Sequence, residues 1–401
     1  MKYINVKHFG PIEEGYNGMM TIYPVTFFCG NQGTGKSTIA KIISTCSWLE
    51  KKMVRGDLSI NKKTENGHFF RQQFEFHRIQ NYFRPDTLIH YFGKHFDFFY
   101  QNEQFSIAEK NFKEEYPMPK IMYIPAERNF LTVVEHPEIL KEIPESLFVL
   151  FSEYDKARKA LKKEAPLPIE GFSFQYDKLN NTSWLVGNNS VGEKYKVKVS
   201  EAASGFQSMI PLSLVTRYIW YLIEKGQEGT ISLDRKNKIE KRISEILADD
   251  TITEDVRRML IAQQSELTKY KQFVNIVEEP EQNLFPTAQK DVLYNLFAAF
   301  NANPNNELII TTHSPYLIDY TTLSIKANNI RKKHPNYSNE IDSIVPVKSQ
   351  LKGNDVYIYQ IIDGNIIDLR KYDGMPSDDN MLNQELNVTN DLFSQLLEIE
   401  D

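Results

Sequence analysis

The 401-residue chain holds only two cysteines, Cys29 and Cys46. Two thiols cannot build a disulfide framework, which fits a reducing compartment and leaves Cys29 as a small buried residue of a strand. No apolar run approaches the roughly 18 residues of a membrane span. The opening Met1-Lys2-Tyr3-Ile4-Asn5-Val6 alternates like a strand, unlike a signal peptide. The expectation is a cytoplasmic protein with no membrane partner. Positive charge is not in excess: the net charge is −6, so any contact with nucleic acid has to come from a local basic surface. No sequence repeat stands out, and 41% hydrophobic with 25% charged residues excludes a disordered or fibrous chain. At roughly 150 residues per domain the length allows two or three domains, or one with insertions.

What the chain does have is Gly30-Asn31-Gln32-Gly33-Thr34-Gly35-Lys36-Ser37, the G-x-x-x-x-G-K-[ST] pattern of a phosphate-binding loop. Glycines let backbone N–H groups turn inward around phosphates, Lys36 reaches the β- and γ-phosphates, and the Ser37 hydroxyl is a Mg²⁺ ligand. The preceding run Thr21 to Cys29 is apolar and β-rich, and Thr38-Ile39-Ala40-Lys41-Ile42-Ile43 has helical spacing. Strand, loop, helix is the context the motif requires. Gly30 to Thr38 are therefore the candidate nucleotide-binding residues.

Hydrolysis also needs carboxylates. Phe273-Val274-Asn275-Ile276-Val277 is a strand, with Asn275 its one polar interruption, ending in Glu278-Glu279-Pro280-Glu281. This pattern puts Glu278 near Mg²⁺ and Glu279 beyond it as general base for the attacking water. Further on, Leu308-Ile309-Ile310-Thr311-Thr312 ends in His313, with a helix started by Ser314 and Pro315. A histidine at that strand edge reaches a γ-phosphate.

With these motifs in order, the chain resembles ABC-type ATPases of the soluble branch that includes RecF, SMC heads and the OLD (overcoming lysogenization defect) proteins. Ala203-Ser204-Gly205-Phe206-Gln207-Ser208 matches the branch's signature loop. In the family this loop completes the nucleotide site of the opposite subunit, so Ser204, Gly205 and Gln207 become candidate nucleotide contacts. The E-E-P-E and T-T-H-S-P-Y-L strings are most similar to the OLD-like group. The resemblance implies an α/β P-loop NTPase: an ABC-type ATPase head with inserted β-rich and helical subdomains, ATP and Mg²⁺ as cofactors, and a head-to-tail homodimer. The branch's glutamine after the next strand is missing. That place reads Pro125-Ala126-Glu127-Arg128, with Glu127 or Arg128 as substitutes.

The expected organisation is an ATPase lobe over 1–48, an aromatic-rich insert over 49–120, and a central lobe with helix, β-hairpin and signature over 121–225. A helical hairpin over 226–272, a second ATPase lobe over 273–345 and a C-terminal hairpin and helix over 346–401 complete it. In the insert, His68, His77, His90 and His95 lack metal-ligand spacing, and packing of a β-rich lobe explains the aromatics better than base stacking. No Toprim-like carboxylate set stands out after His313. By resemblance, this points to a stand-alone ATPase of anti-phage defence beside a separately encoded effector such as a nuclease or toxin. A DNA repair or maintenance ATPase like RecF, with DNA as partner, and a transporter's nucleotide-binding subunit are the competing uses.

Overall fold

The computed structural model describes residues 1–61, 64–111, 115–134, 143–189, 191–226, 241, 243–244, 269–372 and 374–400. The chain opens with strands β1 (Lys2–Phe9), β2 (Gly15–Tyr16), β3 (Met20–Ile22) and β4 (Val25–Cys29), then helix α1 (Lys36–Val54) and the short α2 (Gly67–Gln72). Strands β5 (Phe83–Phe92), β6 (Phe96–Gln101), β7 (Gln104–Glu109) and β8 (Pro119–Ile124) follow. Helices α3 (Phe130–Val133) and α4 (Glu145–Ala160) precede a meander of β9 (Ala165–Pro166), β10 (Ser173–Asp177), β11 (Thr182–Asn188) and β12 (Lys194–Lys198). The rest is α5 (Ser204–Glu224), β13 (Gln272–Glu278), α6 (Pro286–Asn301), β14 (Glu307–Thr312), α7 (Pro315–Lys333), α8 (Ser338–Ile344), β15 (Val356–Ile362), β16 (Asn365–Asp368) and α9 (Met381–Glu400).

The central sheet has the order β2-β16-β15-β4-β14-β13-β8, and its stretch from β15 to β8 is wholly parallel. Every residue of β4, β13 and β14 is buried. Strands covered on both faces need continuous apolar runs, which is why Val25 to Cys29 and Phe273 to Val277 do not alternate. One face, including Phe27, Ile310 and Val277, packs under α4 to α7. The opposite face, including Phe28, Ile309 and Ile276, packs against α1.

Helix α1 lies between this sheet and a second, antiparallel sheet of order β3-β1-β5-β6-β7. Ile39, Ile42, Ile43, Cys46 and Leu49 are therefore buried around much of its circumference. Residues 83–109 do not stand apart as an insert: β5 pairs along β1, so the division at 48/49 runs through one sheet. The aromatics of this region are core. Phe70 stacks on Phe105 at 4.3 Å, and Phe9 meets Phe83 edge-on at 4.9 Å. His77 is buried with Nε2 3.0 Å from the Ser44 hydroxyl.

The hairpin expected after residue 346 turns at Asp363-Gly364, where both residues have positive φ. It is no appendage, because β15 pairs with β4 and carries the central sheet past the loop that follows β4. The β-hairpin expected within 121–225 is a four-stranded sheet. The helix expected early in the central lobe over 121–225 is α4, starting at Glu145, and most of the helical hairpin expected over 226–272 lies outside the described residues. Among the described residues no helix is long and apolar enough to cross a membrane.

Ile43 is fully buried in α1 between the two sheets. Ile43→Ala is expected to cost about 2–5 kcal/mol, read as a lowered urea midpoint. An unchanged midpoint would show that α1 is not the shared core of both sheets.

Candidate functional site

The loop between β4 and α1 is shaped by two glycines with little room around them. Gly30 has φ 152, and a Cβ there would stand 2.4 Å from the Ile361 carbonyl oxygen of β15. Gly35 has φ 108, and its Cβ would meet Ile12 Cδ1 at 2.4 Å. Only glycine fits such positions. Asn31, Gln32 and Gly33 form an exposed rim, and the Thr34 hydroxyl closes the turn by donating to the Asn31 carbonyl at 2.9 Å. Lys36 curls back across the loop, its Nζ donating to the carbonyls of Gly30 at 2.9 Å and Asn31 at 2.6 Å. Burial pulls its pKa down to about 8, while the charge of Glu279 opposes that fall. Ser37 is half-buried and Thr38 buried. The first turn of α1 has no acidic residue, so its N–H groups and dipole are free to favour an anion.

Sheet register brings the acids to the same edge. Thr312 of β14 pairs with Cys29 of β4, and Glu278 of β13 pairs with Thr311 of β14. The two outer strand ends are thus two strand spacings apart, about 10 Å. Glu278 is buried, and its carboxylate accepts from the Tyr123 hydroxyl and from the Ala126 N–H at 3.1 Å. Lys41 Nζ stands 3.9 Å away. Sequence reasoning missed both neighbours. Lys41 carried a signal, since it lies four residues after Ser37 and so on the same helix face; Tyr123 was hidden inside an apolar strand.

Glu279 takes φ 43, a left-handed conformation unusual for a residue with a side chain. Its N–H donates to the Thr311 carbonyl at 2.9 Å, and its Oε1 lies 3.2 Å from His313 Nε2. The hydrogen bond from His313 holds the Glu279 carboxyl below its usual range, more than offsetting burial. His313 is in turn fixed through its backbone: its N–H donates to Glu281 at 2.7 Å, as does the Thr312 hydroxyl at 2.7 Å. The second Glu281 oxygen is buried without a partner among the described residues, and burial raises this carboxyl's pKa.

The signature residues sit beyond this acidic turn. Ser204 begins α5 and is exposed, while Gly205 is pressed on the Asn283 carbonyl, 2.6 Å from where a Cβ would be. Gln207 folds back, its Nε2 donating to the Ser200 carbonyl at 3.0 Å. Among the described residues no hydrogen bond joins Ser204, Gly205 or Gln207 to residues 30–38. One chain therefore gathers Gly30 to Thr38, Glu278, Glu279 and His313, and leaves the α5 start facing outward. Of the two substitutes for the missing glutamine, Arg128 is fully buried with its guanidinium committed to backbone carbonyls. Glu127 is exposed and lines a cavity of about 770 Å³ together with Lys41 and Tyr123.

No family model and no curated protein matches the chain. Among solved structures, the SMC head domain from Thermotoga maritima overlaps at TM-score 0.36 and 8% identity, covering 92% of this chain and 98% of that one. An SMC head bound to the C-terminal winged-helix domain of ScpA overlaps at TM-score 0.36 and 9% identity, covering 91% and 95%. An overlap this loose carries no argument, and the site rests on its own geometry.

The buried Glu281 gives a pH-dependent expectation. A carboxyl whose pKa is raised on folding contributes stability below its unfolded value, near 4.5, that is lost as pH rises through the folded value. Glu281→Gln is nearly isosteric and cannot ionise. It is expected to gain thermal stability relative to the parent as pH goes from 4 to 8. A gap that does not change with pH would mean that Glu281 does not titrate with a raised pKa.

Proposed function

We propose that the chain binds ATP and hydrolyses it to ADP and phosphate as an ABC-type head that pairs head to tail with a second copy, and that this cycle gates a separately encoded effector in anti-phage defence. The observation that carries this reading is the convergence of Lys36, Glu278, Glu279 and His313 on the ends of three adjacent parallel strands. Lys36 and the loop amides hold the phosphates. Glu279, a carboxylate whose pKa the His313 hydrogen bond holds below the usual range, accepts a proton from water as the water oxygen bonds to the γ-phosphorus and the bond to the bridging oxygen breaks. His313 Nε2–H, 3.2 Å from Glu279, orients that base, and the same N–H would pass to the γ-phosphate when nucleotide binds.

Among the described residues no group of three or more His, Cys, Asp or Glu could hold a metal ion. The Ser37 hydroxyl and the Glu278 carboxylate fit Mg²⁺, which usually takes one or two protein oxygens and completes its shell with phosphates and water. Bound there, it would neutralise phosphate charge. The exposed start of α5, with no acid in its first turn, suits the nucleotide of the opposite copy through Ser204 and Gly205. Gln207 would have to release the Ser200 carbonyl to join them. The α9 helix supports a protein partner: Leu392, Phe393, Leu396 and Leu397 are exposed, and no Lys or Arg follows Lys371. An isolated helix is marginal in water, and this one suits an apolar groove rimmed by basic side chains.

The test is turnover of Mg-ATP by the purified protein. Glu279→Gln is expected to keep nucleotide affinity, lose hydrolysis and accumulate as a nucleotide-bound dimer on size exclusion; turnover at the parent's rate refutes the assigned base. Phosphate binding requires the charged lysine, so ATP affinity is expected to fall about tenfold per pH unit above the Lys36 pKa of about 8. Calorimetry above that pH should record proton uptake on binding. Affinity that is flat to pH 9.5 would mean that the Lys36 pKa is not lowered to about 8 or that Lys36 does not hold the phosphates.

A further inference from the structure

Arg128 heads the fully buried side chains by volume, at 0% exposure. A buried cation normally sits on a carboxylate, yet all four hydrogen bonds of this one end on backbone carbonyls. Nε donates to Ser208 at 3.1 Å, Nη1 to Pro125 at 3.2 Å and to Glu278 at 2.6 Å, and Nη2 to Glu279 at 2.6 Å. The carbonyls of Glu278 and Glu279 belong to the two peptide groups on either side of the Glu279 Cα. One planar fork therefore grips both ends of the residue that holds φ 43. A strained backbone persists only where its surroundings over-determine it, and here the over-determination has a named source.

The third anchor lies in α5. Ser208 is four residues, about 6 Å of helix rise, from the exposed Ser204 at the α5 start. A side-chain bond runs beside it, from the Ser208 hydroxyl to Gln282 Oε1 at 3.1 Å. The remaining anchor, Pro125, follows β8 and precedes the Ala126 N–H that binds Glu278. Two segments, the first turns of α5 and the turn after β8, thus meet the acidic turn through one guanidinium.

We infer that Arg128 is a positioning residue that locks the Glu279 carboxylate to the start of α5, so that the base is in register for water only when α5 is in place. This rests on the ATPase reading above. Lysine cannot replace it, because a single ammonium lacks the rigid fork that spans two carbonyls. The charge itself is secured by the surroundings: burial lowers the Arg128 pKa to about 10, with Glu281, Glu279 and Glu278 opposing the fall.

The experiment is steady-state ATP hydrolysis by the full chain and by Arg128→Lys, with thermal unfolding and nucleotide binding measured on the same samples. Arg128→Lys is expected to bind nucleotide like the parent, keep its KM and lose kcat by about 10²-fold, the cost of a base misplaced by about an ångström. Ser208→Ala, a small change that removes the parallel link to Gln282, is expected to lower kcat less, also at unchanged KM, and decides the matter if Arg128→Lys does not fold. A folded Arg128→Lys with the parent's kcat overturns the proposal, as does a raised KM with kcat intact, or a Ser208→Ala indistinguishable from the parent when it must decide. A parent that binds no nucleotide or does not turn it over fails at the first measurement; that outcome defeats the ATPase reading and takes this inference with it.

Discussion

A parallel sheet buried on both faces has nowhere to put polar chemistry except the ends of its strands. That constraint organises this molecule. The strands β4, β14 and β13 are buried along their whole length, so Glu278, Glu279 and His313 fall where strands stop, and Lys36 falls at the end of the loop that follows β4. Their proximity follows from register: once Thr312 pairs with Cys29 and Thr311 with Glu278, the loop, the acids and the histidine have no other place to be. The same burial brings α1 its two-sided core, which holds the loop's C-terminal end rigid where phosphate would meet it.

Burial also sets the electrostatics. Three carboxylates, Glu278, Glu279 and Glu281, crowd one turn, and two buried cations, Arg128 and Lys36, stand among them. Each group meets its charge differently. Glu279 has His313 and Glu278 has Tyr123 and Ala126. Among the described residues Glu281 has one oxygen satisfied, and burial favours its neutral form. Arg128 spends its donors on carbonyls, which leaves its charge to act on the acids through space.

The sequence made legible those parts of the site whose chemistry constrains the backbone locally. Gly30 and Gly35 are readable because no other residue tolerates their conformations and contacts; the strand ends are readable because an apolar run stops at a charge. Long-range pairing was not legible. Nothing in Phe83 to Glu109 announces that β5 will lie along β1, since antiparallel partners 80 residues apart leave no local pattern, and the region was therefore expected to be a separate insert. Arg128 was legible only as one of two substitutes for the missing glutamine; its burial was not, because only the carbonyls of Ser208, Glu278 and Glu279, from distant segments, give it a buried place.

On the proposed reading, the acidic turn explains why the Gly30 to Ser37 loop needs its lysine buried. An anionic ligand approaching Glu278, Glu279 and Glu281 meets like charge at close range, and in a low-dielectric pocket that repulsion is strong. The N-terminus of α1 offsets part of it, but a helix end carries only about half a charge. Lys36 supplies the remainder, and its position across the Gly30 and Asn31 carbonyls keeps it at the loop without pairing it to a carboxylate. A lysine paired to Glu279 would be a settled ion pair with little to gain from phosphate. One held by neutral carbonyls and partly stripped of water keeps most of its attraction for an anion, and on the proposed reading that difference would let a site rich in carboxylates accept a polyanion.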